Sequence, residues 1–300
     1  MNMADQKNML WGELRLNESM VRHTSWRAGG SADRAYVPVD LEDLRLFIAA
    51  LPRHEPLYVV GLGSNLLVRD GGLRGTVIFT HGSLKEIRHE GNAIYAQSGV
   101  PGPKLARVAA LHGRVGAEFM AGIPGTIGGA LAMNAGCYGG ECWGIVESVT
   151  TVDRAGELRR RTPANYEIGY RRVVLREASE EWFVAARFKL APGDSARSRA
   201  TIKQLLERRI AAQPLNLPNA GSVFRNPPND HAARLIEACG LKGRREGGAM
   251  ISDKHANFIV NIGGARAADI ETLIELAHAA VKERFKIDLE REVRIVGEAA

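Results

Sequence analysis

The apolar positions Leu41, Leu44, Phe47, Ile48 and Leu51 recur at the three- and four-residue spacing of one helix face, and Asp40 stands where an N-cap belongs. Leu57–Val60 follows as a short apolar run ending in glycine, so the text from Val37 onward reads strand, helix, strand. Residues 76–80 and 93–97 read as further strands, and residues 101–113 as a helix opened by proline and stopped by glycine. Residues 145–152 and 157–161, separated by the turn Asp153-Arg154-Ala155-Gly156, predict a hairpin, and residues 182–190 another strand.

The pattern breaks at Ala191-Pro192-Gly193-Asp194-Ser195, and a basic helix then runs to Gln213, where Pro214 ends it. This break sets the expected domain boundary. Beyond it come a helix from His231, capped by Asp230 and stopped by Gly240, a strand over 258–260, a long helix over 267–285 and a last strand over 289–296. In the long helix Ile270, Leu273, Ile274, Ala277, Val281 and Phe285 make one core-forming stripe. In the last strand, alternation puts Leu289, Val293 and Ile295 on a buried face and Glu292 with Arg294 on the other.

Composition changes this picture little. Three hundred residues at 45% hydrophobic and 25% charged are enough for two or three packed modules. The amino end, MNMADQKNMLWGEL, has no basic stretch followed by an apolar run, and no window is apolar enough to span a bilayer, so the expectation is a cytoplasmic chain outside the membrane. Cys137, Cys142 and Cys239 lack CxxC spacing and suggest neither a disulfide framework nor a zinc knuckle. The net charge of +6 favours anionic partners, but the basic residues lie in short scattered clusters with no interleaved aromatics, and no nucleic-acid partner is expected. The eight histidines show no ligand spacing, so no metal site is expected.

Two glycine-rich stretches stand out, because glycine lets backbone amides approach an anion unobstructed. GLGSNLL, residues 61–67, follows a strand and offers Gly61 and Gly63 for a turn, with Ser64 and Asn65 as donors. It reads equally as a tight turn or as a phosphate loop. It is no Rossmann fingerprint, since Leu66 replaces the third glycine and no helix opens after it. GIPGTIGGALAMNAGCYGG, residues 122–140, is dense enough in glycine to suggest a flat or anionic ligand lying on bare backbone, with Thr126 and Asn134 adding polar contacts. There is no GxSxG elbow for hydrolase chemistry. Taken alone, Ser222 in NAGSVFRNP caps a turn or belongs to a functional loop, Arg171 in EIGYRRV is ambiguous, and Glu292 in LEREVRIVG is an exposed strand carboxylate or a working one.

AGGSAD, GLGSNLLVRDGG, EFMAGIPGTIGGALAMNAGCYGGE, YRR, QPLNLPNAGSVFRNP, LIEACGLKG, GGAMISDKHANFIVN and LEREVRIVG, in this order over nearly the whole chain, resemble the UDP-N-acetylenolpyruvoylglucosamine reductases in their shorter form. The resemblance implies an α+β fold: a vanillyl-alcohol-oxidase-like (PCMH-type) FAD-binding module over 21–193, with subdomains at about 21–80 and 81–193, then a C-terminal α+β substrate-binding domain over 194–300, after an N-terminal extension over 1–20. It implies non-covalently bound FAD, NADPH as co-substrate, enolpyruvyl-UDP-GlcNAc as substrate, and a monomer.

By motif, Gly61, Leu62, Gly63, Ser64 and Asn65 would hold FAD phosphates. Gly122, Ile123, Pro124, Gly125, Thr126, Gly128, Gly129 and Asn134 would lie along the flavin and its pyrophosphate. NADPH would reduce the flavin, and hydride would then pass to the methylene carbon of the enolpyruvyl group. Arg171 would stabilise the enolate, Glu292 would assist polarisation, and Ser222 would protonate the second carbon. Tyr170, Arg225, Asn226 and His255 would contact substrate. Two positions depart from the family pattern: Val173 stands where serine is common, which puts the surroundings of Arg171 in question, and Cys137 where alanine or serine is usual. The competing expectations are an oxidase or dehydrogenase of the same fold acting on a hydroxy acid or sugar alcohol, and an inactive nucleotide-binding protein.

Overall fold

The computed structural model describes residues 10–300; residues 1–9, part of the expected N-terminal extension, lie outside it. The chain forms two compact units. The first comprises the segment ending at Arg15, Ala35–Gly61 and Gly75–Glu207, and the second comprises Leu16–Arg34, Leu62–Arg74 and Arg208–Ala300. This is not the linear division expected at residue 193. The second unit's core explains the difference: Trp26, Ala28 and Leu67 are buried among Val223, Phe224 and Ile270, long-range packing that leaves no trace in local periodicity.

In the first unit, helix α1 (Leu41–Ala50) is capped as its sequence predicts, Asp40 accepting a hydrogen bond from the Asp43 amide at 2.9 Å. Its apolar face, Leu44, Phe47 and Ile48, packs on Tyr36, Ile78 and Val184. Asp43, fully buried, accepts from the Tyr36 hydroxyl at 2.7 Å and from the amides of Trp11 and Val39 at 2.9 and 3.0 Å. Strand Leu57–Val60 runs parallel to residues 76–79.

A five-stranded antiparallel sheet follows in the order Leu158–Arg161, Val146–Asp153, Glu181–Lys189, Ala93–Gln97, Ile87–Glu90. Helix α2 (Gly102–Leu111) starts after Pro101 as expected. The second glycine-rich stretch differs from expectation. Instead of bare loop throughout, residues Ile127–Met133 form a helix, α3, packed on the sheet. The reason is steric: a Cβ on Gly128 would stand 2.9 Å from the Ser98 Cβ, so glycine there lets the helix settle onto the strand behind it. Helix α4 (Ser195–Ala212) is the expected basic helix.

In the second unit, α5 (Ala232–Ala238) has His231 as N-cap rather than Asp230, whose carboxylate instead accepts from the His231 amide at 2.7 Å. Helix α6 (Ala267–Phe285) matches its expected bounds and buries Ile270, Leu273, Ile274, Ala277 and Val281. A three-stranded sheet, Arg245–Glu246, Ala249–Ile251 and Ile259–Asn261, packs against it.

The expected strand over 289–296 contracts to Arg294–Val296, parallel to Leu66–Val68. A β-bulge interrupts it: the amides of Glu292 and Val293 both donate to the Val223 carbonyl, at 2.8 and 3.3 Å. Before the bulge, Arg291 pairs with Phe224. Leu289 and Val293 are buried, Ile295 half-buried, as the alternation predicts. Among the described residues no helix is long and apolar enough to cross a membrane, and the three cysteines are unpaired.

Replacing Asp43 by Ala leaves the Tyr36 hydroxyl and two amides without their buried acceptor. An unfolding free energy lower by about 2–3 kcal/mol in urea is expected. A loss under about 0.5 kcal/mol would show that the carboxylate does not anchor α1.

Candidate active site

In the first unit Gly61, the leading residue of one glycine-rich stretch, meets the other. A Cβ on Gly61 would stand 2.2 Å from Thr126 Oγ1, so the strand end carrying Gly61 lies directly against the turn Gly125-Thr126. That turn is pinned on its other side: the Gly125 carbonyl accepts from Gly102 N at 3.1 Å, and the amides of Ile127 and Gly128 donate to Val100 and Ser98. Pro124 and Gly129 are exposed, and a Cβ on Gly129 would meet nothing within 4 Å, which leaves a rigid backbone ledge open to a ligand. Gly122 and Ile123 are buried and belong to the packing beneath it.

Asn134, at a left-handed φ of 43°, closes α3. Its amide nitrogen donates to the Gly169 carbonyl at 3.1 Å and to Glu141 at 3.0 Å, and its oxygen accepts from Trp143 N at 3.1 Å. Gly169 ends the first strand of a hairpin, Tyr166–Gly169 with Arg172–Leu175, whose two-residue turn is Tyr170-Arg171. Arg171 itself has a left-handed φ of 55°. Its guanidinium donates to the carbonyl of Gly136 at 2.8 Å and of Asn134 at 3.4 Å, and lies 4.9 Å from the Tyr170 ring centroid. A permanent cation is thus fixed at the C-terminal end of α3, half-buried.

In the second unit the remaining expected groups share one framework. Gly63, φ 58°, is buried where a Cβ would fall 2.0 Å from the His23 carbonyl, and its own carbonyl accepts from Ser25 N at 3.2 Å. The Asn65 amide donates to the Glu292 carbonyl at 3.0 Å, while Asn65 O accepts from Arg294 N at 3.0 Å. Leu62 is exposed and Ser64 half-buried. Glu292 is half-buried, its backbone held on one side by Asn65 and on the other by Val223, the residue after Ser222. Ser222, also half-buried, follows Gly221 at φ 76°.

Arg225 pairs with Glu290 at 2.6 Å, and the Asn226 oxygen accepts from Ala232 N at 3.1 Å, capping α5. His255 is packed edge-on to Phe258 at 4.7 Å, and burial holds its imidazole below the usual range. Its charged neighbours are Lys242 and Glu237. Among the described residues no group of three metal-ligating side chains occurs.

The geometry adds a positioning residue that motif reading passed over. Asn257, 3% exposed, accepts from Phe224 N at 2.9 Å and donates to Phe224 O at 2.8 Å, and its carbonyl accepts from Val223 N at 2.9 Å. A single asparagine thereby stands in for a neighbouring strand along the segment that carries Ser222. Its signal, an asparagine between apolar residues in HANFIV, was present in the sequence but invited no reading as a clamp.

Comparison with known proteins bears on both units. The family model described as FAD binding domain matches residues 32–162, and that described as UDP-N-acetylenolpyruvoylglucosamine reductase, C-terminal domain, matches residues 213–296. UDP-N-acetylenolpyruvoylglucosamine reductases of Thiobacillus denitrificans and Methylococcus capsulatus are each 57% identical, over 97% and 94% of this chain and 94% and 93% of theirs. The crystal structure of the enzyme from Thermus caldophilus superposes with a TM-score of 0.80 at 33% identity, covering 95% of this chain and 98% of that one.

The contact of Gly61 with Thr126 is open to a rescue test. Gly61→Ala is expected to lower the melting temperature by about 5 °C through overpacking, and Thr126→Ala in the same chain to restore most of that loss. Additive losses in the double variant would show that the two loops do not touch.

Proposed function

The chain belongs to the UDP-N-acetylenolpyruvoylglucosamine reductase family, and from that membership we propose that it reduces enolpyruvyl-UDP-GlcNAc to UDP-N-acetylmuramate for peptidoglycan synthesis, with NADPH as reductant. It is an oxidoreductase that uses FAD. It works in the cytoplasm as a monomer. The observation that most supports the reading is the bulge at Glu292, which locks the Ser222 segment, the Glu292 backbone and the Asn65 loop together in one hydrogen-bonded framework.

The residues present fit FAD. The ledge from Pro124 to Gly129, with Gly61 pressed against Thr126, offers backbone to a flat or anionic group. FAD bound there would supply the two-electron hydride chemistry between NADPH and the enol ether. Everything else falls to side chains. Gly122, Ile123 and Asn134 act by holding the ledge and the Arg171 turn in shape.

Addition of hydride to the methylene carbon pushes charge onto the substrate carboxylate, and a fixed cation lowers that barrier most when it needs no reorganisation. Arg171 meets the requirement: its fork is already oriented by the Gly136 and Asn134 carbonyls. Glu292 assists polarisation, and Ser222 delivers a proton to the second carbon, which completes the saturated ether. A serine hydroxyl is a weak acid, so it serves only against a strongly basic enolate and where neighbouring groups hold the alkoxide. Tyr170, Arg225, Asn226 and His255 contact the substrate's diphosphate or sugar.

Stopped-flow absorbance separates the two half-reactions. Ser222→Ala is expected to keep flavin reduction by NADPH within about twofold while slowing reoxidation by enolpyruvyl-UDP-GlcNAc by roughly three powers of ten. Equal slowing of both halves would remove the proton-donor role. Arg171→Ala and Glu292→Gln are expected to fail in the second half as well, and wild-type reoxidation in either variant would withdraw its assignment.

A further inference from the structure

Arg27, in the second unit, has a φ of 54°, in the left-handed region that a residue with a Cβ adopts only against a steric cost. The backbone on both sides of it is fixed. Trp26 and Ala28 are buried, at 0% and 2% exposure. The Trp26 indole donates to the Ile259 carbonyl at 2.8 Å, and the Trp26 carbonyl accepts from the Asn261 side chain at 2.9 Å. The Thr24 hydroxyl donates to the Ala28 carbonyl at 3.0 Å, and the Arg27 amide donates to the Thr24 carbonyl at 3.1 Å, closing a β-turn over residues 24–27. Backbone clamped in this way imposes the strain on any residue at position 27 except glycine, which would bear it without steric cost.

The chain nonetheless carries an arginine there. Its side chain is exposed, and its guanidinium has no hydrogen-bond or ion-pair partner among the described residues. Arg69, Arg225 and Arg234 of the same unit, by contrast, pair with Glu271, Glu290 and Asp230. The turn that carries Arg27 packs directly on the first glycine-rich loop. Ser25 donates to the Gly63 carbonyl through its amide at 3.2 Å and its hydroxyl at 3.4 Å, and a Cβ on Gly63 would fall 2.9 Å from the Thr24 Cα. A β-turn keeps its first and last Cα atoms within about 7 Å, so the loop lies within the span of an extended arginine at its end. The loop itself supplies no positive charge: Leu62, Gly63, Ser64 and Asn65 offer only neutral donors.

We propose that Arg27 binds a phosphate group of FAD at the Leu62–Asn65 loop, and that the strain at position 27 is retained because it presents this cation. The inference rests on the reading of Gly61–Asn65 as the loop that holds the FAD phosphates. A permanently charged, planar donor is the side chain suited to such a group, and a backbone fixed before the ligand arrives leaves less of it to be ordered on binding.

The full chain is stripped of flavin and titrated with FAD, binding being read from flavin fluorescence, as wild type, Arg27→Gly and Arg27→Lys. At low salt Arg27→Gly is expected to weaken FAD binding about tenfold, with the gap narrowing to about threefold at 0.3 M NaCl as the charge is screened. Arg27→Lys, which keeps the charge and loses the planar fork, is expected to weaken it by about threefold. The melting temperature of the flavin-free Arg27→Gly chain is expected to rise by about 2 °C, because glycine relieves the left-handed strain. A lower melting temperature would assign the side chain to the fold instead of to a ligand. Equal FAD affinity in Arg27→Gly and the wild type, or a loss that high salt leaves undiminished, would overturn the phosphate contact. The wild type alone judges the cofactor reading: failure to take up FAD sinks that reading and Arg27 with it, whereas FAD uptake no tighter than that of Arg27→Gly leaves the reading standing and removes only Arg27.

Discussion

One carbonyl organises the second unit's chemistry. Val223 O accepts from two successive amides, those of Glu292 and Val293, and so fixes the backbone that carries Glu292 just before its strand begins. A bulge is tolerated only where the flanking pairing is strong. Here the Phe224–Arg291 bridge secures one side, and the parallel pairing of Arg294–Val296 with Leu66–Val68 secures the other. Because the same stretch of chain is bound by Asn65 and by the Ser222 segment, three pieces of sequence, 227 residues apart at their extremes, are tied together. Asn257 then fixes the outer edge of the Ser222 segment, where no further strand runs, with both ends of its own side chain.

The first unit solves the corresponding problem with a helix end. Asn134 takes the left-handed conformation that stops α3, and from there it reaches the Gly169 carbonyl, fixing the hairpin turn against the helix. Arg171 closes the arrangement in the other direction by donating to Asn134 O and Gly136 O. Both residues accept positive φ, a strained choice for side chains other than glycine, and both are held in it by hydrogen bonds formed only when helix and hairpin are assembled. The cation is thus placed by tertiary structure rather than by its own strand.

Elements whose stability is local were legible in the sequence. The cap at Asp40, the bounds of α6 and the strand over residues 57–60 follow from spacing and capping alone. What escaped had a long-range cause. The helix α3 was hidden by glycines that exist to let it approach Ser98, so the feature that suggested a loop was the one that permitted the packing. The last strand was overextended because nothing local announces that Val223 will claim two amides. The interleaved units were invisible because Trp26 and Leu67 reach their core partners across most of the chain. The candidate residues themselves came through motif resemblance; composition alone left Ser222, Arg171 and Glu292 ambiguous.

Val173 stands where serine is common in the family. A serine at that place would offer Arg171 a hydroxyl, and its replacement raised the question of what supports the guanidinium. In this chain the support comes from the opposite direction, from two carbonyls at the end of α3. Val173 instead pairs across the hairpin with Ile168 and joins the apolar wall below it. A carbonyl pair is a better partner for a planar, five-donor cation than one rotatable hydroxyl, since it fixes the plane as well as the position. The valine therefore adds apolar packing to the hairpin's underside while the two carbonyls keep the cation in place.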